Sequence, residues 1–417
     1  MKKVITYGTF DLLHHGHIKL LERAKALGDY LIVGITSEDF DKARGKINVQ
    51  QSLMERITAV RSLDIADEII VEEYIGQKID DIKRYDIDIF TLGSDWEGKF
   101  DYLKEYCEVV YLPRTEGISS THIRENGNCI RLGLMGRHIG ASKIAKECTY
   151  VNGVVTVEDI DKADAVYVDT LPENHYVDVK KMLLAGKHVI CESPIATRES
   201  EARELIELAK EKGLVLMDGI KSAYATAYSR LLLLVKSGAI GDVVSVDSTC
   251  TSLGDEYVQM GQLVGRWNSI CAWGTIALLP IFQILGTEYT NRHIVSRYLD
   301  KDKKFDGFTK IDFEYKDAVA SIKVAKAAKS EGSLVITGTK GYIYVPAPWW
   351  KTEYFEVRYE DPAQNKRYFY QLEGEGIRYE LVAFNKSINT GKDYSYISSD
   401  VSIAITNIVE EVMYNKD

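Results

Sequence analysis

Residues 3–35 read KVITYGTFDLLHHGHIKLLERAKALGDYLIVGI, and this stretch decides the fold of the N-terminal part of the chain. The apolar run Lys3–Thr9 predicts a buried strand, and Tyr30–Ile35 predicts a second one. Between them, His17–Leu27 carries apolar residues at helical spacing and ends before Gly28, which is typical of a helix C-terminus. A strand, a helix and a second strand in this order predict a βαβ unit with a parallel sheet.

The same pattern continues to the end of a first domain. Further strands are predicted at Glu68–Val71, Ile87–Leu92 and Glu108–Leu112, so the fold class is α/β with a small doubly wound sheet. The polar run Arg124–Asn128 then separates this pattern from the next apolar strand. We therefore predict a Rossmann-like N-terminal domain over residues 1–128.

The rest of the chain is predicted to form two further parts. Strands alternate with helices from Ile130–Met135 onwards, which predicts a truncated Rossmann domain over residues 129–241. Residues 242–417 are predicted to form an α+β domain with an open, mostly antiparallel sheet and a C-terminal helix near Asp400–Met413. The predicted strands of that sheet are Val243–Leu253, Phe308–Tyr315, Ala318–Val324 and Ser333–Val345.

Composition and charge narrow the classes of function. The 417 residues carry a formal net charge of -10, which argues against nucleic acid as a partner because such proteins need a basic face. The apolar stretch Ile270–Gly286 is broken by Gly274, Pro280 and Gln283, so a buried helix explains it better than a membrane span. We expect a cytoplasmic enzyme that acts on small molecules.

Residues 8–17, GTFDLLHHGH, are the predicted reactive segment, and they lie at the point where the first strand turns into the first helix. Ligands bind at such carboxyl ends of strands, and the N–H groups of a helix N-terminus bind phosphate. Gly8 and Gly16 permit close approach of the backbone, and His14 and His17 can donate hydrogen bonds to charge that grows on a phosphorus. The alternatives for the two histidines are a structural pair or a metal site, and the complete pattern favours phosphate.

Three further segments accompany this motif: GSDWEGKFD at 93–101, YLPRTEG at 111–117 and ISSTHIR at 118–124. Together they resemble the nucleotidyltransferases marked by an H-x-G-H signature, in particular the glycerol-3-phosphate cytidylyltransferases. The resemblance implies transfer of a cytidylyl group from CTP to glycerol-3-phosphate or a related polyol phosphate, giving CDP-glycerol and pyrophosphate. It further implies Mg²⁺ bound through the substrate phosphates, a homo-oligomer, and a product used in teichoic acid or capsule synthesis.

The predicted active site of this domain combines the motif chemistry with the resemblance. Lys42, Arg44 and Lys46 form either a solvated loop or a phosphate clamp, and the resemblance favours the clamp, most of all for Lys46. Asp11 is either a turn residue or a group that orients substrate or Mg²⁺. The predicted catalytic residues are His14, His17, Asp11, Lys46 and Arg114. The predicted nucleotide-binding residues are Gly8, Thr9, Phe10, Gly16, Gly93, Asp95, Thr115, Ile118, Ser119, Ser120 and Thr121.

A second motif opens the rear part of the chain. LGLMGRHIG at 132–140 follows a strand and begins a helix, as a dinucleotide-binding turn does, although alone this signal is weak. With AVYVDTLPENH at 165–175 and AGKHVICESP at 185–194, it resembles the Gfo/Idh/MocA oxidoreductases. The resemblance implies an NAD(P) cofactor. The residues predicted for this rear site are Gly136, Gly140, Pro172, Asn174, His175, Glu192 and Lys221.

Several departures weaken the prediction of oxidoreductase activity. The glycines follow a G-x-x-G-x-x-x-G spacing, and the family's Glu-Lys-Pro motif is Glu192-Ser193-Pro194 here, without its lysine. The 31 positions from Gly136 to Tyr167 leave room for one helix and one short strand, so a ribose-reading strand is predicted to be lost. We therefore interpret the rear part as a degenerate oxidoreductase fold. The alternative is a bifunctional enzyme whose rear part reduces a sugar phosphate with NAD(P)H to supply the polyol phosphate.

Overall fold

A computed structural model describes residues 1–13, 15–43, 49, 51–74, 76–113, 129–136, 138–254, 256–370 and 372–414. The chain forms two compact units, Met1–Cys129 and Ile130–Asp417. The division of the rear part at residues 241 and 242 stays a prediction.

The N-terminal unit is built on a parallel sheet of five strands in the order β3-β2-β1-β4-β5. The chain runs outward from β1 to β3 and then returns to the other side of β1, so the strand order reverses between β1 and β4. Ligands bind at such a switch point, outside the carboxyl ends of the strands. The strands are β1 Lys3–Gly8, β2 Tyr30–Thr36, β3 Glu68–Glu72, β4 Ile89–Gly93 and β5 Glu108–Leu112.

Helices cover both faces of this sheet. Alternate residues of the strands point to opposite faces, so Val4 packs with α1 and α3, whereas Ile5 packs with α4. The predicted α/β fold with a Rossmann-like front domain is confirmed. The helices are α1 His15–Lys25, α2 Glu38–Ala43, α3 Leu53–Arg61 and α4 Gln77–Tyr85, with short 3-10 turns at Ser94–Trp96 and Asp101–Glu105.

Helix α1 ends two residues earlier than predicted. The chain tightens into a turn after Lys25, where the N–H of Leu27 donates to the carbonyl oxygen of Ala24 at 3.1 Å. Gly28 follows because a side chain there would bring its Cβ to within 2.6 Å of the Lys2 carbonyl oxygen. The glycine therefore lets the helix end directly against the start of β1.

The second unit begins with another parallel sheet of five strands, in the order β10-β9-β8-β6-β7. Its strands are β6 Ile130–Gly136, β7 Val154–Val157, β8 Ala165–Asp169, β9 His188–Glu192 and β10 Leu216–Gly219. The helices of this part are α5 His138–Cys148, α6 Pro172–Leu184, α7 Glu199–Glu211 and α8 Thr226–Lys236, with 3-10 turns at Ile160–Lys162 and Lys221–Tyr224. The predicted Rossmann-like fold of this part is confirmed.

The remaining sheet has eight strands in the order β12-β13-β14-β11-β15-β16-β17-β18, and its pairs are antiparallel except β11 with β14. The strands are β11 Val243–Thr251, β12 Asn291–Tyr298, β13 Asp306–Glu314, β14 Val319–Ala325, β15 Leu334–Gly338, β16 Tyr342–Val345, β17 Tyr354–Arg358 and β18 Lys366–Phe369. Its helices are α9 Glu256–Gln259, α10 Thr275–Leu285, α11 Ile377–Thr390 and α12 Ser399–Tyr414, with 3-10 turns at Trp349–Lys351 and Glu373–Gly376.

One predicted strand of this sheet was wrong. Ser333–Val345 is a hairpin of β15 and β16, because the N–H of Gly338 donates to the carbonyl oxygen of Gly341 at 2.9 Å and turns the chain. The apolar stretch at Ile270–Gly286 is largely α10, whose side chains are buried in the second unit. Within the part of the chain that the structure describes, no helix is long and apolar enough to cross a membrane.

Candidate active site

The turn after β1 is held in an unusual backbone conformation. Phe10 and Leu12 have φ values of 51° and 48°, in the left-handed region that residues other than glycine seldom adopt. The ring of Phe10 folds back over Gly8, where an added Cβ would lie 2.9 Å from it. Backbone strain of this kind persists only where the surroundings fix it, and it is concentrated at functional sites.

His17 lies in the first turn of α1 next to this strained segment. Its ring packs edge-on against Phe10, with 5.5 Å between the ring centroids and 71° between the ring planes. Phe10 is buried, so it fixes the side of the turn on which the imidazole lies. Gly16 is also in this first helical turn, at the N-terminal end of the helix.

Several predicted site residues lie outside the described part of the chain. They are His14, Arg44, Lys46, Arg114, Thr115, Ile118, Ser119, Ser120 and Thr121; of Lys42 only the backbone is described. Their predicted roles stay predictions.

A buried arginine that the sequence analysis missed connects the ends of β1 and β2. Arg56 of α3 is 0% exposed, and its Nη1 donates to the carbonyl oxygens of Thr9 and Thr36, each at 2.8 Å. Asp41 lies 3.8 Å from the same guanidinium and accepts a hydrogen bond of 2.9 Å from the Thr9 hydroxyl. These charge-assisted bonds hold the ends of β1 and β2 together at the switch point.

Asp11 fixes the same turn from the other side. Its Oδ1 accepts from the backbone N–H of Gln51 at 3.0 Å, and the Gln51 side-chain oxygen accepts from the N–H of Leu12 at 2.8 Å. The Asp11 carboxylate thus ties its turn to the segment before α3, and its two predicted roles, as a turn residue or as a group that orients substrate or Mg²⁺, stay predictions. Among the described residues, no group of three His, Cys, Asp or Glu side chains could hold a metal ion. Binding of Mg²⁺ through the substrate phosphates stays a prediction.

A cleft of about 370 Å³, counting space open to solvent, lies at the carboxyl ends of β1 to β4. Its residues come from strand ends, from α4 and from the segment after β4. They are Tyr7, Gly8, Thr9, Thr36, Glu72, Lys78, Leu92, Trp96 and Phe100. The cleft therefore adjoins the turn that carries residues 8–17.

One lysine places a positive charge inside this cleft. Lys78 is ion-paired with Glu72 and lies over the rings of Tyr7 and Phe100, at 4.6 and 5.5 Å from their centroids. Glu72 also accepts a hydrogen bond of 2.9 Å from the Thr36 hydroxyl. The aromatic rings and the buried carboxylate stabilise the ammonium group at this position.

The segment after β4 closes the cleft with aromatic side chains. Gly93 is the last residue of β4, and a Cβ there would meet nothing within 4 Å, so the backbone faces open space. Asp95 is exposed in the following 3-10 turn, and Trp96 packs on Phe100 with 5.8 Å between ring centroids. Gly93 and Asp95 are thus next to the cleft, as predicted nucleotide-binding residues would need to be.

The rear unit contains the predicted strand, turn and helix. Gly136 ends β6 with a φ of 138°, and any Cβ there would collide with the carbonyl group of Asp169. Helix α5 begins two residues later, and Gly140 is in its first turn. The ends of β6 and β8 therefore meet closely at the site where a dinucleotide-binding turn is expected.

The sheet does not lack a strand beside β6. The short β7 pairs in parallel with β6, and Val157, its last residue, is followed directly by the exposed Glu158. An acidic residue at the end of the second strand is the position that contacts the ribose of NAD. The prediction that this platform is lost is therefore corrected, because a shortened strand occupies its place.

The other predicted residues of the rear site divide into two groups. His175 is 0% exposed, with Nδ1 at 2.7 Å from the Pro194 carbonyl oxygen and Nε2 at 3.1 Å from that of Thr170. Burial lowers the pKa of this imidazole, against the two carbonyl oxygens that raise it, and both of its ring nitrogens are engaged within the core. Pro172 is buried at the start of α6, and Asn174 is exposed in its first turn.

Glu192 and Lys221 lie at the carboxyl ends of β9 and β10. Glu192 accepts a hydrogen bond of 2.9 Å from the hydroxyl of Tyr167, which also lies 3.4 Å from Glu380. Burial raises the pKa of the Glu380 carboxyl well above its usual range, because the charged form loses its hydration there. The amine of Lys221 donates to Glu375 at 2.9 Å.

The parallel sheet, the H-x-G-H turn and the switch-point cleft define the front unit as a nucleotidyltransferase. The chain belongs to the cytidylyltransferase-like family, whose model matches residues 5–126. The glycerol-3-phosphate cytidylyltransferase of Bacillus spizizenii is 56% identical over 126 residues, which cover 30% of this chain and 97% of that protein. The front unit is therefore a cytidylyltransferase.

The rear unit matches a second family over residues 131–220, described as an oxidoreductase family with an NAD-binding Rossmann fold. Trans-1,2-dihydrobenzene-1,2-diol dehydrogenase of Oryctolagus cuniculus is 25% identical over 263 residues, covering 60% of this chain and 78% of that protein. A 3-ketoreductase from Actinomadura kijaniata, solved with NADP and TDP-benzene, has a TM-score of 0.58 at 17% identity. The alignment covers 68% of this chain and 97% of that structure. At 17% identity, this similarity shows the fold alone.

Proposed function

We propose that the front unit transfers a cytidylyl group from CTP to glycerol-3-phosphate, giving CDP-glycerol and pyrophosphate. The observation that carries the proposal is the 56% identity over nearly the whole length of a glycerol-3-phosphate cytidylyltransferase. In the reaction, an oxygen of the acceptor phosphate attacks the α-phosphorus of CTP. A new P–O bond forms as the bond between the α-phosphorus and its bridging oxygen breaks, and pyrophosphate leaves with that oxygen.

The geometry of the turn supports a role for His17 in this transfer. The residue lies at the N-terminal end of α1, where the helix dipole favours a phosphate. An imidazole held there by Phe10 can donate a hydrogen bond to the oxygens around the reacting phosphorus. His14, Lys46 and Arg114 are assigned to the same phosphates by the family resemblance.

We assign the acceptor to the cleft that contains Lys78. The cleft adjoins residues 8–17, and Lys78 supplies positive charge for the acceptor phosphate while Glu72 and Thr36 offer oxygens to hydroxyl groups. A panel of polyol phosphates tests this assignment through pyrophosphate release from CTP. Glycerol-3-phosphate is expected to give the highest kcat/KM, and a clear preference for a longer polyol phosphate would overturn this acceptor.

Lys78→Gln is expected to raise the KM for glycerol-3-phosphate about tenfold to a hundredfold, because a charge-assisted hydrogen bond contributes about 1.5–3 kcal/mol. Glutamine keeps a donor for Glu72, so the buried carboxylate is not left alone. The KM for CTP is expected to stay within about twofold. Lys83→Ala, on an exposed position of the same helix, is the matched control. A rise confined to the KM for CTP would place the nucleotide in this cleft instead.

We further propose that the rear unit binds a nicotinamide dinucleotide. The β6 turn at Gly136, the start of α5 and the acidic residue after β7 support this proposal. The comparisons do not favour a coupled sugar-phosphate reductase, and the substrate of the rear unit is left unassigned.

NADH is expected to bind the full chain at least about tenfold more tightly than NADPH, because Glu158 repels a 2′-phosphate and accepts from a ribose hydroxyl. Separate titrations with NADH and with NADPH, each followed by the fluorescence of the reduced nicotinamide, measure the two affinities. Glu158→Gln is expected to reduce the difference in affinity between NADH and NADPH. Glu207→Gln, on the exposed side of α7, is expected to leave that difference unchanged. No binding of either nucleotide would restore the interpretation of a degenerate fold.

A further inference from the structure

Three lysines of the rear unit converge on one carboxylate. Lys143 of α5 is ion-paired with Glu375, and the amines of Lys221 and Lys351 donate to the same carboxylate at 2.9 and 2.7 Å. The three lysines come from separate elements: α5, the 3-10 turn after β10 and the 3-10 turn between β16 and β17. We call these three lysines the lysine cluster.

The lysine cluster carries more positive charge than Glu375 can balance. Burial opposes ionisation of Glu375, but the hydrogen bonds from the three lysines outweigh it and hold the pKa of the carboxyl well below its usual range. Burial raises the pKa of the nearby Glu380 carboxyl well above its usual range, which disfavours a second negative charge there. Glu147, on α5, is paired with Arg378. Three ammonium groups therefore converge on the one carboxylate of Glu375.

The backbone that delivers Glu375 is itself strained. Gly374, Glu375 and Gly376 all have left-handed conformations, with φ values of 59°, 55° and 96°. Gly376 lies against the backbone of Lys221, where an added Cβ would be 2.6 Å from the carbonyl oxygen. A glutamate in this conformation persists only because its surroundings hold it, here through the lysine cluster.

The cluster is also open to ligands from solvent. The side chains of Lys143 and Lys351 are 40% and 41% exposed, and that of Glu375 is 31% exposed. Lys221 follows β10 at the carboxyl end of the parallel sheet, which is the edge where open α/β sheets bind their ligands. A ligand that reaches this edge therefore meets the cluster without unfolding of the core.

We propose that the lysine cluster is a binding site for a phosphate group, which Glu375 occupies in the free protein and leaves when the ligand binds. A phosphate suits the cluster better than a carboxylate, because it brings up to two negative charges and three oxygens that accept from separate ammonium groups. Release of the Gly374-Glu375-Gly376 segment also relieves its left-handed conformation. The proposal concerns binding only, and it goes beyond the transfer reaction of the front unit.

Calorimetric titration of the full chain with inorganic phosphate tests the site. Glu375→Gln removes the competing charge and keeps the shape of the side chain, so the affinity for phosphate is expected to rise about tenfold. Lys143→Ala combined with Lys351→Ala is expected to abolish this binding, whereas Lys146→Ala on α5 is expected to leave it intact. Circular dichroism and cooperative urea unfolding of the full chain serve as a check that the rear unit of each variant is folded.

The source of the phosphate follows from two parallel titrations of the same variants. If NADH binding weakens in the double lysine variant, the pyrophosphate of the dinucleotide is the ligand group. If NADH binding is unchanged but a phase of glycerol-3-phosphate binding disappears, the ligand is a separate phosphorylated molecule. Equal phosphate affinity in the native chain, in Glu375→Gln and in the double lysine variant would overturn the proposal. Should Glu375→Gln fail to fold, the lysine variants alone decide between these outcomes.

Discussion

His17→Ala is expected to lower kcat for CDP-glycerol formation by about a hundredfold to a thousandfold, the usual effect of removing one hydrogen-bond donor to a transition state. The KM for CTP is expected to change much less, because the donor acts on charge that grows as the phosphorus is attacked. Phe10 holds the imidazole at the N-terminal end of α1, so the variant removes the donor without removing the anchor of the turn. Steady-state pyrophosphate release at saturating CTP measures the effect.

The matched control is His15→Ala, because His15 is exposed two residues earlier on the same helix. This variant is expected to retain kcat within about threefold, as substitutions at exposed positions usually do. Near-normal turnover in His17→Ala, with a clear loss in His15→Ala, would reverse the assignment of the two histidines. A loss in both variants of equal size would point to a general effect on the helix rather than to catalysis.

Arg56→Ala is expected to lower the free energy of unfolding of the front unit by about 3–5 kcal/mol, because it breaks a buried charge network by removing one partner. The variant leaves the Asp41 carboxylate buried without the guanidinium. The carbonyl oxygens of Thr9 and Thr36 also lose the hydrogen bonds that Arg56 donates. These carbonyl groups lie at the carboxyl ends of β1 and β2, which line the cleft. The cleft is therefore expected to lose its shape, and the enzyme is expected to lose its activity. Urea unfolding of the full chain measures the stability.

Arg61→Ala on the same helix is the control for Arg56→Ala, because Arg61 is exposed in the last turn of α3. Its effect on stability is expected to stay within about 0.5 kcal/mol. A small loss of stability in Arg56→Ala would mean that water or a neighbouring donor replaces the guanidinium. The arginine would then not be what holds the ends of β1 and β2 together.

The front sheet and its turn were predictable because their signals are local. Strands β1 and β2 are apolar runs, the intervening helix has regular spacing, and the motif at residues 8–17 marks the carboxyl end of β1. The position of the site followed from this order alone, since strand ends at a switch point bind ligands. The predicted fold class of both units was therefore confirmed.

Residues that act through distant partners were missed. Arg56 looks like an ordinary charged residue of a helix, and only its position beside Ile57 and Val60 on the buried face of α3 could have marked it. Lys78 and Glu72 are six residues apart, and they meet in the cleft because β3 ends beside α4. Both contacts depend on which face of a helix is buried against the sheet, and the charged side chains themselves give no sign of that burial.

The surroundings of side chains in the rear unit were also hidden from the sequence. His175 was selected as a surviving titratable residue, but both of its ring nitrogens face carbonyl oxygens in the core. Strand β12 was missed because it alternates between exposed and partly buried residues and carries polar side chains such as Arg292 and His293. Lys221 could be chosen from the sequence, whereas its convergence with Lys143 and Lys351 depends on three separate elements.

The most direct test of the central claim is identification of the product formed by the purified full chain from CTP and glycerol-3-phosphate, with Mg²⁺ present. The account predicts CDP-glycerol and pyrophosphate in equal amounts, formed without any nicotinamide cofactor and lost in His17→Ala. Absence of CDP-glycerol in the native chain, with transfer from CTP only to another phosphorylated acceptor, would contradict it.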